Sequence, residues 1–190
     1  MKTNEILAHL TFRLDTELFA INVSKVISIL EMSYITKIPN APVYLKGVIN
    51  LRGKVLPVID GRIKMGMPTK EADRESAIIV LSILVDTAVV SVGLQVDAVH
   101  SVLEIDPAHV LPAPSIGDKF KTDFITGIYN LAESNADKTS KSDDLYTSAT
   151  QYSTVKSDTE DHLVMILDID KIFSTNEIIS LKSHTEAVPE

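Results

Sequence analysis

The sequence predicts an all-β protein made of two similar five-stranded units packed together. Three observations carry this: the apolar runs are short and rich in Val, Ile and Leu, their order recurs along the chain, and helical signals are confined to short segments. "LAHLTFRLD" and "LFAINV" read as two strands divided by the polar turn Asp15-Thr16-Glu17. "VISILEM" reads as a third strand, and "VINL" with "KVLPVI" as a hairpin bent at Arg52-Gly53. Between them, "APVYLKG" has Pro42 placed to start a helical turn and Gly47 placed to end it. "SAIIVLSIL", "AVVSVGLQV", "SVLEI", "FITGIYNL" and "HLVMILDI" supply the second set of strands, and "STNEIISLK" reads as a C-terminal amphipathic helix.

The order of elements repeats. Val23, Val26, Ser28, Leu30, Glu31 and Pro39 recur 73 positions later as Val96, Val99, Ser101, Leu103, Glu104 and Pro112. Gly47 and Asn50 recur 80 positions later as Gly127 and Asn130, and Asp60 recurs 108 positions later as Asp168. An ordered series of Pro, Gly, Asn and Asp matches points to an internal duplication, hence to two small barrels or sandwiches. The boundaries expected from it are a single domain over 6–182, with a first unit over 6–70 and a second over 75–175. Residues 132–160 are dominated by Ser, Thr, Asp and Lys and are expected to form a polar, mobile insertion; 183–190 reads as a disordered tail.

Composition narrows the function. The chain has 190 residues, 45% of them hydrophobic, no cysteine and a net charge of −8. Without cysteine there is no disulfide, no thiolate nucleophile and no cysteine-bound metal. The acidic balance argues against nucleic acid as a partner. "MKTNEILAHLTFRLD" has no signal-type apolar stretch and nothing approaches a membrane span, so a soluble cytoplasmic protein is expected. The histidines show no metal-ligand spacing, and no nucleophile elbow, phosphate loop or dinucleotide fingerprint occurs. No catalytic residue, metal or cofactor is expected.

Residues kept in both copies serve the fold, and residues found in one copy are free for function. Gly47 and Gly127 are assigned to turns, Gly53 to the tight hairpin, and Asp60 and Asp168 to capping short helical segments. Arg52 stands apart because its counterpart is Ala132. On a tight turn its guanidinium offers five donors in a rigid fork, suited to carboxylates or carbonyls of a partner. "VISIL" carries so many apolar residues that at least one of them faces outward, as an interface anchor does.

The run "ITKIPNAPVYLKGVINLRGKVLPVID", with its P-x-x-x-K-G-V-x-N-L-R-G core, resembles the CheW family of chemotaxis coupling proteins. The likeness extends from about "LTFRLD" to "LDIDKIF". It implies two SH3-like five-stranded β-barrels and no catalytic activity. It also implies an adaptor that binds the signalling tip of methyl-accepting chemotaxis receptors and the regulatory domain of the histidine kinase CheA. Carried over by position, Arg52 with Asn50, Lys54 and Val99 forms the receptor-binding set, and Val26, Ser28, Ile29 and Leu30 the kinase-binding set. The protein is then expected to be a monomer in isolation and to be recruited to membrane receptor arrays. A coupling role in pilus motility or another chemosensory pathway, or a small-ligand-binding barrel module, are the alternatives. Two departures stand out: Ser28 lies where an acidic residue is frequent, and Gly61 replaces a common leucine.

Overall fold

The computed structural model describes residues 6–85, 88–113, 124–131, 163–173 and Glu177. The strands are β1 (Leu7–Leu14), β2 (Glu17–Asn22), β3 (Val26–Glu31), β4 (Leu45–Leu51), β5 (Lys54–Asp60), β6 (Ala77–Val85), β7 (Ala88–Val96), β8 (Ala98–Ile105), β9 (Val110–Pro112), β10 (Ile125–Asn130) and β11 (Leu163–Leu167). Two one-turn helices, α1 (Gly61–Lys64) and α2 (Ile169–Ile172), follow β5 and β11. The insertion, the tail and the expected C-terminal helix, apart from Glu177, lie outside the described residues.

Two sheets result. One has five strands in the order β3-β6-β7-β5-β4, the other six in the order β8-β1-β2-β11-β10-β9. The sixth strand is the three-residue β9, whose counterpart in the first sheet is a single bridge from Thr36 to Val48. The pairing divides the chain differently from the boundaries 6–70 and 75–175. The β1–β2 hairpin pairs with β8 and β11, while the β6–β7 hairpin pairs with β3 and β5. Each copy therefore lends its hairpin to the other's sheet. Contiguous units would have kept each hairpin with the strands that follow it.

The registers show how faithfully the copies correspond. Glu31 pairs with Ala77 and Glu104 with Ala8; Ile29 pairs with Ile79 and Val102 with Leu10; Val26 pairs with Leu81 and Val99 with Phe12. The parallel pairs Ile59–Leu94 and Leu167–Ile21 match in the same way. The exchanged hairpins are buried on both faces, which explains their near-continuous apolar runs. Ile78 and Val80 face the first barrel's interior, with Ile49, Leu56 and Val58. Ile79, Leu81 and Ile83 face a central core shared with Leu10, Phe12, Leu14 and Ile21 of the other sheet. Tyr129, Val164 and Ile166 fill the second barrel. Each such side chain contributes about 1.5–3 kcal/mol by leaving water.

The segment expected to be a helical turn is instead a tight turn in which the Leu45 N–H donates to the Pro42 carbonyl at 2.9 Å. Gly47 therefore lies inside β4 and Gly127 inside β10, each beside a bulge, rather than at a helix end. What excludes a side chain is close approach. A Cβ on Gly47 would stand 2.2 Å from the Thr36 carbonyl oxygen, and one on Gly127 would stand 2.3 Å from Val110 Cγ1.

Candidate functional site

Asn50, Arg52, Gly53 and Lys54 come together at the turn that joins β4 to β5. Leu51 pairs with Lys54, leaving two central residues with φ of 54° at Arg52 and 81° at Gly53. Two positive φ values define the tight hairpin turn whose twist matches that of the strands. The Gly53 N–H donates to Asn50 Oδ1 at 2.8 Å and pins the turn. Glycine takes this geometry freely, whereas an L-residue with a Cβ at Arg52 costs about 1 kcal/mol. Arg52 is exposed, and its side chain makes no hydrogen bond or ion pair among the described residues. Strain at an exposed, unpartnered cation is unexplained by folding alone.

The edge strand β3 alternates strictly. Val26, Ser28 and Leu30 turn inward and are half-buried, Val26 against the central core and Leu30 against the first barrel's core. Ile27 and Ile29 turn outward, 55% and 47% exposed. The residues expected to meet the kinase thus divide between two faces, and only Ile29 of that set presents its side chain to solvent. Ile27 was not among them. The period of two in "VISIL" could have identified it, because Ile27 and Ile29 must share a face.

A cavity of about 310 Å³ connects this strand with the Arg52 turn. Ile27, Leu51, Lys54, Val55, Val80 and Val89 line it, and Val89 is 69% exposed. Val99 lies apart from these residues in the other sheet, half-buried against the central core at the position equivalent to Val26.

Two ionic clasps stabilise the frame behind this surface. Asp60 caps α1, accepting from the N–H groups of Arg62 and Ile63 at 3.0 and 3.3 Å; Asp168 caps α2 through the Asp170 N–H at 3.2 Å. From α1, Arg62 reaches across to Asp97, at the β7–β8 junction, and to Asp15 at the β1–β2 tip. Burial acts to raise the Asp97 pKa, but the Arg62 hydrogen bond and the Asp15 N–H outweigh it and hold the carboxyl below its usual range. The equivalent of Arg62 in the second copy is Asp170, which pairs with Lys25 and accepts the Leu84 N–H at 3.0 Å. The clasp recurs with its charge inverted, each time holding the tip of the hairpin that its own copy lends to the other sheet and the residues that follow the other copy's hairpin.

The model of the CheW-like domain family matches residues 8–177. The chain belongs to the CheW family. Over 119 residues it is 35% identical to the chemotaxis protein CheW of Rhizobium meliloti, covering 63% of this chain and 74% of that protein. Over 124 residues it is 35% identical to the CheW of Klebsiella aerogenes, covering 65% and 72%. The crystal structure of the scaffolding protein TtCheW from Thermoanaerobacter tengcongensis matches with a TM-score of 0.66 at 28% identity, over 91% of this chain and 96% of that one. The two sheets are thus the two SH3-like barrel subdomains of a CheW scaffold. Among the described residues, no helix is long and apolar enough to cross a membrane.

Proposed function

We propose that this CheW-family chain is a non-catalytic chemotaxis adaptor that couples methyl-accepting receptors to the histidine kinase CheA. In this reading the Arg52 turn, with Asn50 bracing it and Lys54 beside it, engages the receptor's signalling tip. The outer face of β3, through Ile27 and Ile29, meets the kinase's regulatory domain and supplies apolar affinity. The observation that carries the reading is the strained, exposed arginine set beside an apolar cavity that opens toward an unpaired strand edge. An adaptor without chemistry transmits a signal only by binding one state of its partners better than another. Weak individual contacts become effective when many copies are held together in a receptor array at the membrane.

The deciding experiment is co-precipitation of the full chain with a receptor signalling-tip fragment and, separately, with the CheA regulatory domain. Retention of both partners, with the receptor lost on Arg52→Glu and the kinase lost on Ile29→Asp, is the expected result. Retention of neither partner by the folded wild-type chain overturns the proposal.

A further inference from the structure

The second barrel departs from the first at a position where the duplication supplies an internal control. Leu30 pairs with Ile78 in the first sheet, and the equivalent Leu103 pairs with His9 in the second. Ile78 is fully buried hydrocarbon in the first barrel's core. His9 is almost as buried, 8% exposed, yet it lines a cavity of about 380 Å³ instead of completing a packed interior. Leu7, Ile105, Val110, Thr126 and Ile166 form much of the remaining wall. This volume falls in the range of small-molecule sites, and the wall is apolar with few polar groups, as such sites are.

His9 supplies a directional handle. Its Nδ1 lies 2.9 Å from the Leu7 carbonyl oxygen, which can only accept, so Nδ1 carries the hydrogen. In the neutral ring Nε2 is then an acceptor, and it has no hydrogen-bond partner among the described residues. Thr126 leaves no competing donor for it, because its hydroxyl donates to the Ile166 carbonyl at 3.2 Å. A ligand hydroxyl seated in this apolar cavity finds in Nε2 an open acceptor for its hydrogen, which a ligand without a donor leaves unused.

We infer that the mouth of the second barrel is a binding site for a small apolar molecule bearing a hydroxyl, which donates to His9 Nε2 while its hydrocarbon lies against Leu7, Ile105 and Ile166. The site is separate from the Arg52 turn and β3, so it adds a small-molecule input to the adaptor rather than restating how partners dock.

The test titrates the full isotope-labelled chain with 4-ethylphenol and with its methyl ether, which fills the same space but cannot donate. Saturable shifts of the His9 ring and of the Leu7, Ile105 and Ile166 methyl signals are expected with the phenol. The ether should bind about tenfold more weakly. His9→Ile, which installs the first barrel's own side chain, should abolish the preference. Equal affinity for phenol and ether overturns the proposal, as does the absence of saturable shifts at these residues. Both ligands are compared on the wild-type chain, so the result stands even if the variant fails to fold. Perturbation of the same signals by a receptor tip or the kinase domain alone, with no response to the phenol, would make the cavity a protein-docking surface and also refute the inference.

Discussion

Arg62 Nε lies 3.0 and 2.9 Å from the two carboxylate oxygens of Asp97, and the same guanidinium reaches Asp15 Oδ1 at 3.0 Å. Both partners of the Arg62–Asp97 pair are nearly excluded from solvent. The pair ties α1, which follows the first unit's last strand, to the second unit's β7–β8 junction. Arg62→Met would leave Asp97 buried without its counter-ion, a change that costs about 3 kcal/mol. A chain of this size should lose roughly 10 °C of melting temperature in calorimetry.

The same carboxyl sets the acid limit. Native Asp97 binds its proton less tightly than the unfolded chain does, so its contribution is fully present above the ordinary carboxylate range near pH 4. It disappears as pH falls through the lower native value. Denaturant melts at successive pH values should show wild-type stability falling over this window, and Asp97→Asn should flatten the decline while lowering stability at pH 7.

Arg52 should trade stability against binding. Arg52→Asn suits the positive φ better and should stabilise the chain by about 0.5–1 kcal/mol, measured by urea unfolding, while removing receptor-tip affinity. Arg52→Glu should leave the urea midpoint almost unchanged and abolish the same affinity. A variant that unfolds would reassign the residue to the fold.

The alternation on β3 gives a paired control. Ile27→Asp and Ile29→Asp should weaken binding of the kinase regulatory domain by about tenfold or more with little change in melting temperature. Leu30→Asp places a charge against the first barrel's core and should lower the melting temperature itself. Equal behaviour of the three variants would show that the two faces do not differ in role.

Gly47→Ala must displace the Thr36 carbonyl or bend β4, and φ at Gly47 is +147°. About 3 kcal/mol should be lost on urea unfolding. Gly127→Ala first meets a valine methyl group, with the Leu111 carbonyl oxygen next at 2.9 Å, and should cost less. The order of the two midpoints checks the contrast.

Much of this was legible in the sequence, for identifiable reasons. Strand positions follow from β-branched runs, and the duplication follows from Gly, Asn and Asp matches that register pairing later aligns atom for atom: the Asp60 N–H donates to the Tyr44 carbonyl, and Asp168 to that of Phe124. The exchange of hairpins was not legible. Both hairpins are apolar on both faces, so either sheet could accept either one, and the choice rests on partners distant in sequence. Gly47 was misplaced because Pro42 and a following glycine resemble helix punctuation, whereas the requirement comes from Thr36 across the bulge. The outward pair on β3 was available from its period, but His9 lining a cavity was not, since the strand pattern around it is indistinguishable from a packed core.

The lent hairpins also bear on how the protein is made. On the ribosome, β3 emerges with no strand to pair with until β6 has been synthesised, and β1–β2 must wait for β8 and β11. At roughly 5–20 residues per second, the nascent first half spends several seconds with an open apolar edge. Neither half can reach its native state before the other is translated. A gene fragment encoding one copy should therefore yield aggregate, and the ancestral repeat can no longer be separated from its twin.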